Sequence, residues 1–254
     1  MPTILITGAS RGIGAATALL AGSRGWTVGV NYLSNATLAE DLVSKIQASG
    51  GQATALQGDM SKEADVLRVF DEMEEAFGQI HGVVVNAGIT APIMRLAEMS
   101  LERLRSVFDT NVLGAYLCAR EAARRIPQTE KSEISSDAPG SRSIVFVSSA
   151  AARLGSPNEY VDYAGSKGAI DTLTVGLAKE LGPQGVRVNG VRPGIIRTDI
   201  HASSGDPGRV ERLGNAAPLG RAGDAEEVAE AIVWLLSGAA SYVTGSIIDV
   251  AGGR

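Results

Sequence analysis

The sequence predicts a three-layer α/β fold in which a mainly parallel, seven-stranded sheet carries helices on both faces. Two observations point to it. Short apolar runs alternate with longer segments of helical periodicity along the 254 residues, the pattern left by repeated strand-helix-strand units. In addition, the glycine-rich stretch Thr7-Gly8-Ala9-Ser10-Arg11-Gly12-Ile13-Gly14 joins the first apolar run to the first helical segment, where a doubly wound sheet makes its first tight turn.

The elements follow in order. Ile4-Leu5-Ile6 place the first strand near 2–7, and the helical pattern resumes over about 13–24. Val28-Gly29-Val30-Asn31 mark a strand at 26–31, followed by a helix over 36–49, a strand at 52–57 and a helix over 62–77. A fourth strand at 81–86 leads to a long helix over 101–125. Ile144-Val145-Phe146-Val147 lie in a fifth strand at 142–148, before a helix over 162–181 and a sixth strand at 186–191. The last helix, over 225–237, has a clear start, because Asp224 and Glu227 stand at the spacing of a capping box; the seventh strand covers 246–250. No linker interrupts the pattern, so residues 1–254 read as a single domain. Two stretches break the alternation. The polar 128–142 reads as a mobile surface loop, and 195–223, rich in Gly, Ser, Asp and Pro, reads as a loop over the crevice at the sheet's carboxyl edge.

Composition narrows the partners. With 31 glycines but only 9 prolines, 44% hydrophobic and 20% charged residues, the chain has the make-up of a globular protein. The single cysteine, Cys118, allows no intrachain disulfide, and with His81 and His201 as the only histidines no Cys/His zinc cluster is available. No metal is therefore expected, and a reducing, cytoplasmic setting is. The net charge of −5, without a lysine-rich block, argues against capture of nucleic acid or of anionic membrane. No apolar run approaches the length of a membrane span. A small-molecule partner fits.

The glycine turn is built to receive a phosphate, since backbone N–H groups and a helix N-terminus converge there and glycines permit positive φ. Gly8, Ser10, Arg11, Gly12, Ile13 and Gly14 are its candidate contacts, and Asn31 at the end of the second strand is a further candidate cofactor contact. At the end of the second strand an acidic residue would bond ribose hydroxyls and repel a 2′-phosphate. Here Asn31-Tyr32 carry no acid, and Arg11 offers a cation for that phosphate. NADP is expected over NAD, with NAD possible.

Tyr163 and Lys167 are four residues apart on one helix face, and an ammonium beside a phenol favours the phenolate, so the tyrosine is expected to exchange protons near neutral pH. Upstream, the fifth strand ends at Ser148-Ser149, two hydroxyls at the ligand-binding edge. With these residues in view, the chain resembles the short-chain dehydrogenase/reductase family along nearly its whole length. Thr7-Gly8 through Gly14, Asn86-Ala87-Gly88, Asn111, Ser149, Tyr163-x3-Lys167 and Arg192-Pro193-Gly194 stand in that family's order. The family's commonest spacing from serine to tyrosine is one residue shorter than that from Ser149, which implies a one-residue enlargement within 153–160; Ser148 is the alternative.

The resemblance implies a three-layer Rossmann fold, an NADP-dependent interconversion of a carbonyl and a secondary alcohol, and a role for each matching residue. Tyr163 corresponds to the general acid/base, and Lys167 to the residue that lowers its pKa and bonds the nicotinamide ribose. Ser149 would polarise the substrate carbonyl, and Asn111 would hold a water in a proton relay. Asp59 and Met60 would meet the adenine. Asn86, Ala87 and Gly88 would lie under the adenosine ribose, and Pro193, Gly194, Ile195 and Thr198 would meet the nicotinamide. It also implies a homo-oligomer, dimer or tetramer, with the helices near 101–125 and 162–181 between subunits. The substrate is left open among 3-oxoacyl, sugar and polyol compounds, because 89–99, 153–160 and 195–223 show no commanding anion site. The competing readings are a non-catalytic NADP-binding regulator and, more weakly, a serine hydrolase with His201 as base. Cys118, Trp26 and Trp234 read as core residues.

Overall fold

A computed structural model describes residues 2–126, 142–198 and 208–254. Seven strands, β1 (Thr3–Ile6), β2 (Thr27–Tyr32), β3 (Gln52–Gln57), β4 (Gly82–Val85), β5 (Ser143–Val147), β6 (Arg187–Pro193) and β7 (Ile247–Val250), form one sheet in the order β3-β2-β1-β4-β5-β6-β7. Every pairing is parallel. The order reverses between β1 and β4, which opens a crevice at their carboxyl ends.

Strand periodicity decides which helices cover which face. Ile4, Ile6, Val28, Val30, Val84, Val145 and Val147 point to one side, where α1 (Gly12–Ser23), α2 (Ala36–Ala48) and α9 (Ala225–Leu236) cover them. The alternate residues Leu5, Val83, Val85, Ile144 and Phe146 point to the other. There they meet α3 (Glu63–Phe77), α5 (Gly114–Arg125) and α7 (Val161–Leu181). Both faces are buried, as parallel strands require. Cys118 belongs to this second layer, its Sγ 3.7 Å from Met60 Sδ, and burial pushes its thiol up to about 12. It is an inert packing residue. Trp26 packs at the edge of the first layer. Trp234, by contrast, is 39% exposed, because it falls four residues after Glu230 and eight after Glu226 on the outward face of α9, where both are exposed.

Three departures from the expected elements concern the site. The helix over 101–125 is divided: α4 (Leu101–Phe108) and α5 are joined through a π turn, Asp109–Leu113. The extra residue in that turn carries Asn111 inward, and Gly114 sits where a Cβ would lie 2.7 Å from Met60 O. Next, β6 runs two residues further than expected, because Arg192 and Pro193 pair with Asp249 and Val250 of β7. Finally, 195–223 is not loop throughout. It contains α8 (Arg209–Asn215), whose Gly214 packs on the Ala222 backbone where a side chain has no space. The remainder of that stretch, 199–207 with His201, and the polar 127–141 lie outside the described residues. The short helix α6 (Ala151–Leu154) follows β5.

Candidate active site

The turn after β1 is fixed from three directions. Gly8 N donates to Asn31 Oδ1 at 3.0 Å, and Asn86 Nδ2 donates to the carbonyls of Thr7 and Gly8, both at 2.9 Å. Thr7 Oγ1 in turn accepts from the N–H groups of Asn86 and Ala87, each at 3.0 Å. Gly8 (φ +61°) and Gly12 (φ +57°) are left-handed, a conformation that favours glycine. Gly14 is needed for space, since a Cβ there would lie 2.7 Å from Asn86 Nδ2. Gly194 has the same reason on the opposite wall, with Ala251 Cα 2.7 Å from its would-be Cβ.

These residues line a cleft of about 710 Å³ at the switch point. Of the residues expected at the site, Gly8, Ser10, Arg11, Gly12, Ile13, Asn31, Asp59, Met60, Asn86, Ala87, Gly88, Ser149, Tyr163, Lys167, Pro193, Gly194, Ile195 and Thr198 all reach it. Gly14 and Asn111 stand behind the wall. Asn31 both borders the cleft and braces the turn, its Nδ2 donating to Leu56 O and Gly58 O at 3.1 Å each while Oδ1 accepts from Gly8 N. Asp59 divides its carboxylate. Oδ1 accepts from Ser61 N (3.0 Å) and Ser61 Oγ (2.6 Å), and Oδ2 lies 3.6 Å from Lys62 Nζ.

On the other side of the cleft, β5 and α7 bring three groups together. Ser149 Oγ accepts from Ala151 N at 3.1 Å, and its hydroxyl faces the Tyr163 phenol and favours the phenolate. Lys167 is buried, donates to Val147 O at 2.8 Å, and has its Nζ 5.7 Å from the Tyr163 ring centroid. Ser148 turns the other way, donating to Asp171 Oδ1 at 2.6 Å and Lys167 O at 3.2 Å. Ser149 is therefore the hydroxyl facing Tyr163. One expectation is reversed. Burial raises the phenol above its ordinary 10, and the Ser149 hydrogen bond only partly opposes it. Burial also lowers the Lys167 ammonium, down to about 8, which still leaves it mostly charged at neutral pH. In Asn111, Oδ1 accepts from Ile89 N (2.8 Å) and Nδ2 donates to Ile89 O (2.9 Å) and Ser166 Oγ (3.1 Å), so both amide donors are used inside the fold while Oδ1 keeps one acceptor site.

The comparisons with known proteins decide the family. The family model described as enoyl-(acyl carrier protein) reductase matches residues 8–254. The chain is 50% identical over 254 residues, all of both chains, to the uncharacterized oxidoreductase YgfF of Escherichia coli. The chain belongs to the short-chain dehydrogenase/reductase family. A solved short-chain dehydrogenase/reductase double mutant from Serratia marcescens superposes with a TM-score of 0.89 at 28% identity, over 99% of this chain and 97% of that one. A 3-ketoacyl-(acyl-carrier-protein) reductase from Brucella melitensis complexed with NADH gives 0.87 at 29% identity, over 100% and 98%. The chain is thus an oxidoreductase on a Rossmann fold.

Three features of this short-chain dehydrogenase/reductase are not visible in its motifs. The first lies behind Lys167, where Asp171 accepts from Ser148 and also from Arg192, whose Nε and Nη2 each stand 2.9 Å from Oδ2. Asp171 is four residues beyond Lys167, a spacing as legible as Tyr163-x3-Lys167, but its partner Arg192 comes from another strand. Asp171 favours the charged lysine against burial. Replacing it with asparagine removes that support, so Lys167 loses its proton at lower pH. In Asp171→Asn the alkaline limb of the kcat/KM profile is expected to move to lower pH, and an unmoved limb would show that Asp171 acts only in packing. The second feature is the strained segment before α7, with Gly155 (φ +74°), Ser156 (φ +43°) and Asn158 (φ +64°) all left-handed. It falls within the enlargement expected at 153–160 and lines the cleft through Ser156 and Pro157. Third, Arg103 of α4 forms a buried ion pair with Asp162, beside Tyr163. Among the described residues no group of three His, Cys, Asp or Glu side chains gathers to hold a metal, and no helix is long and apolar enough to cross a membrane.

Proposed function

We propose that this oxidoreductase interconverts a carbonyl and a secondary alcohol, with NADP(H) as its preferred cofactor. The observation that carries the reading is Tyr163, lining the cleft with the Ser149 hydroxyl on its phenol and Lys167 beside its ring. The cleft fits a dinucleotide. Gly8, Gly12 and Gly14 keep the phosphate turn clear of side chains, Asp59 and Met60 form the adenine wall, and Pro193, Gly194, Ile195 and Thr198 border the nicotinamide end. Lys167 is the residue placed to bond the nicotinamide ribose. When bound, the reduced nicotinamide supplies a hydride to the carbonyl carbon.

The protein's own residues handle the oxygen. Ser149 donates to it and polarises the carbonyl. Tyr163, held neutral by burial, has a proton ready to give as charge develops. The Lys167 ammonium then favours the phenolate that remains. With both Asn111 amide donors used, a relay water is received at an acceptor, either the remaining Oδ1 site or the main-chain carbonyl at the π turn.

NADP is favoured because Tyr32, Leu33 and Ser34 at the end of β2 offer no carboxylate to repel a 2′-phosphate, and exposed Arg11 borders the same part of the cleft. A homo-oligomer follows from the outer faces of two helices. Leu101, Phe108 and Leu113 are exposed, and Gly168 and Gly176 of α7 meet nothing within 4 Å, leaving space for a close helix approach. Light scattering is expected to give at least a dimer. The buried thiol and lack of disulfide suit a reducing, cytoplasmic location.

A cofactor-oxidation screen tests the function, with oxoacyl thioesters, oxidised sugars and simple ketones offered alongside a 2-enoyl thioester. The expected result is turnover of carbonyl substrates, faster with NADPH than with NADH. Reduction of the enoyl thioester alone would replace carbonyl with carbon-carbon double-bond chemistry. Tight NADPH binding with no turnover anywhere would favour the regulator.

A further inference from the structure

We propose that the substrate end of the cleft carries an anion subsite, centred on Arg254 with Arg209 beside it, that selects carbonyl compounds bearing a carboxylate at the far end of an apolar stem. The inference deepens the carbonyl-reductase reading and rests on it. Arg209 opens α8, is 6% exposed, and lies with its guanidinium carbon 5.0 Å over the centroid of the Tyr160 ring. Its Nη2 donates to Glu159 Oε2 at 2.6 Å. Arg254 reaches the same wall from beyond β7. Its backbone is pinned, N–H to Ala251 O at 3.3 Å and a main-chain carboxylate oxygen accepting from Arg153 Nη2 at 2.8 Å.

Glu159 is held below the usual carboxylate range first by its hydrogen bond to Arg209, and the fields of Arg209, Arg212 and Arg254 add to this. That carboxylate is occupied by Arg209. The Arg254 Nη1 atom is buried and finds no hydrogen-bond partner among the described residues. A buried charged donor without an acceptor is unfavourable, and a substrate carboxylate supplies the acceptor. Arg209 and Arg254 line the cleft that contains Ser149 and Tyr163, so a ligand anchored by its carboxylate remains in the catalytic cavity. Leu154 and Leu213 also line it and suit a methylene stem. The sequence showed no anion site because its cations come from different segments, brought together only by α8 and the chain after β7.

The test uses straight-chain oxo acids of increasing separation between carbonyl and carboxylate, each paired with its methyl ester. For at least one separation the acid is expected to exceed its ester in kcat/KM by about tenfold or more, the factor a charge-assisted hydrogen bond supplies. Arg254→Gln is expected to collapse that ratio toward one, chiefly through KM, and Arg254→Lys to keep part of it. Direct titration of hexanoate by calorimetry gives a readout free of turnover, expected to show binding that weakens about tenfold in Arg254→Gln, with the melting temperature of each variant reporting its fold. Esters reduced as well as acids throughout, or an acid preference unchanged in Arg254→Gln, would overturn the subsite and leave the reductase reading intact. Arg254-dependent hexanoate binding without reduction of any oxo compound would uphold the subsite and overturn the reductase.

Discussion

Tyr163→Phe is expected to lower kcat/KM for carbonyl reduction by about 10²–10⁴-fold, the range attributed to a positioned proton donor, while NADPH still binds. The ring stays, so the packing of α7 against the cleft is preserved, and only the hydroxyl and its bond to Ser149 are lost. That loss carries a modest structural cost, about 1 kcal/mol for one hydrogen bond, too small to unfold the chain. The two readouts therefore separate. Cofactor binding, followed by fluorescence, and the melting temperature should change little, while turnover on the best substrate from the screen should nearly vanish. Retained turnover would remove Tyr163 from the chemistry. Turnover and binding lost together would instead point to a distorted cleft.

The tyrosine was legible in the sequence because everything around it is local. Tyr163 and Lys167 share a helix face, and Ser149 ends an apolar run, so helix and strand periods alone bring them to one edge of the sheet. The glycine turn was legible for the same reason: its positive φ angles and close approaches are backbone requirements that only glycine meets. Groups whose partners arrive from distant segments stayed hidden. Asn31 borders the cleft, but the bonds to Leu56, Gly58 and Gly8 by which it braces the turn come from other segments. The π turn gave no signal, since the pattern over 101–125 reads as one helix and the extra residue is explained only by what Asn111 must reach on Ile89 and Ser166. The direction of the Tyr163 shift was not legible, because a helix spacing reports a neighbouring charge but not the burial that outweighs it. Arg254 gave no motif at all; its meaning depends on Arg209, which folds beside it.

The buried pair between α4 and α7 was equally hidden, and its loss is expected to have the largest effect on stability. Arg103 Nε donates to Asp162 Oδ2 at 2.8 Å and Nη2 to Oδ1 at 3.3 Å, while Nη1 donates to Pro92 O. The side chains are 10% and 1% exposed, so little solvent screens the pair. Arg103→Met leaves the Asp162 carboxylate buried without its counter-ion, which is expected to cost about 3–5 kcal/mol. For a chain of this size that lowers the melting temperature by roughly 6–20 °C at fixed protein concentration. The stringent comparison adds Asp162→Leu to Arg103→Met. If the single variant fails because it strands a charge, removing the charge as well should recover most of the loss, since an apolar pair often replaces a buried ion pair without penalty. If it fails because α4 has lost a packing arm, the double variant should be no better than the single. The same experiment reaches the chemistry, because Asp162 directly precedes Tyr163 at the start of α7. In the double variant a recovered fold with reduced kcat would mean that the ion pair also holds the catalytic tyrosine in register.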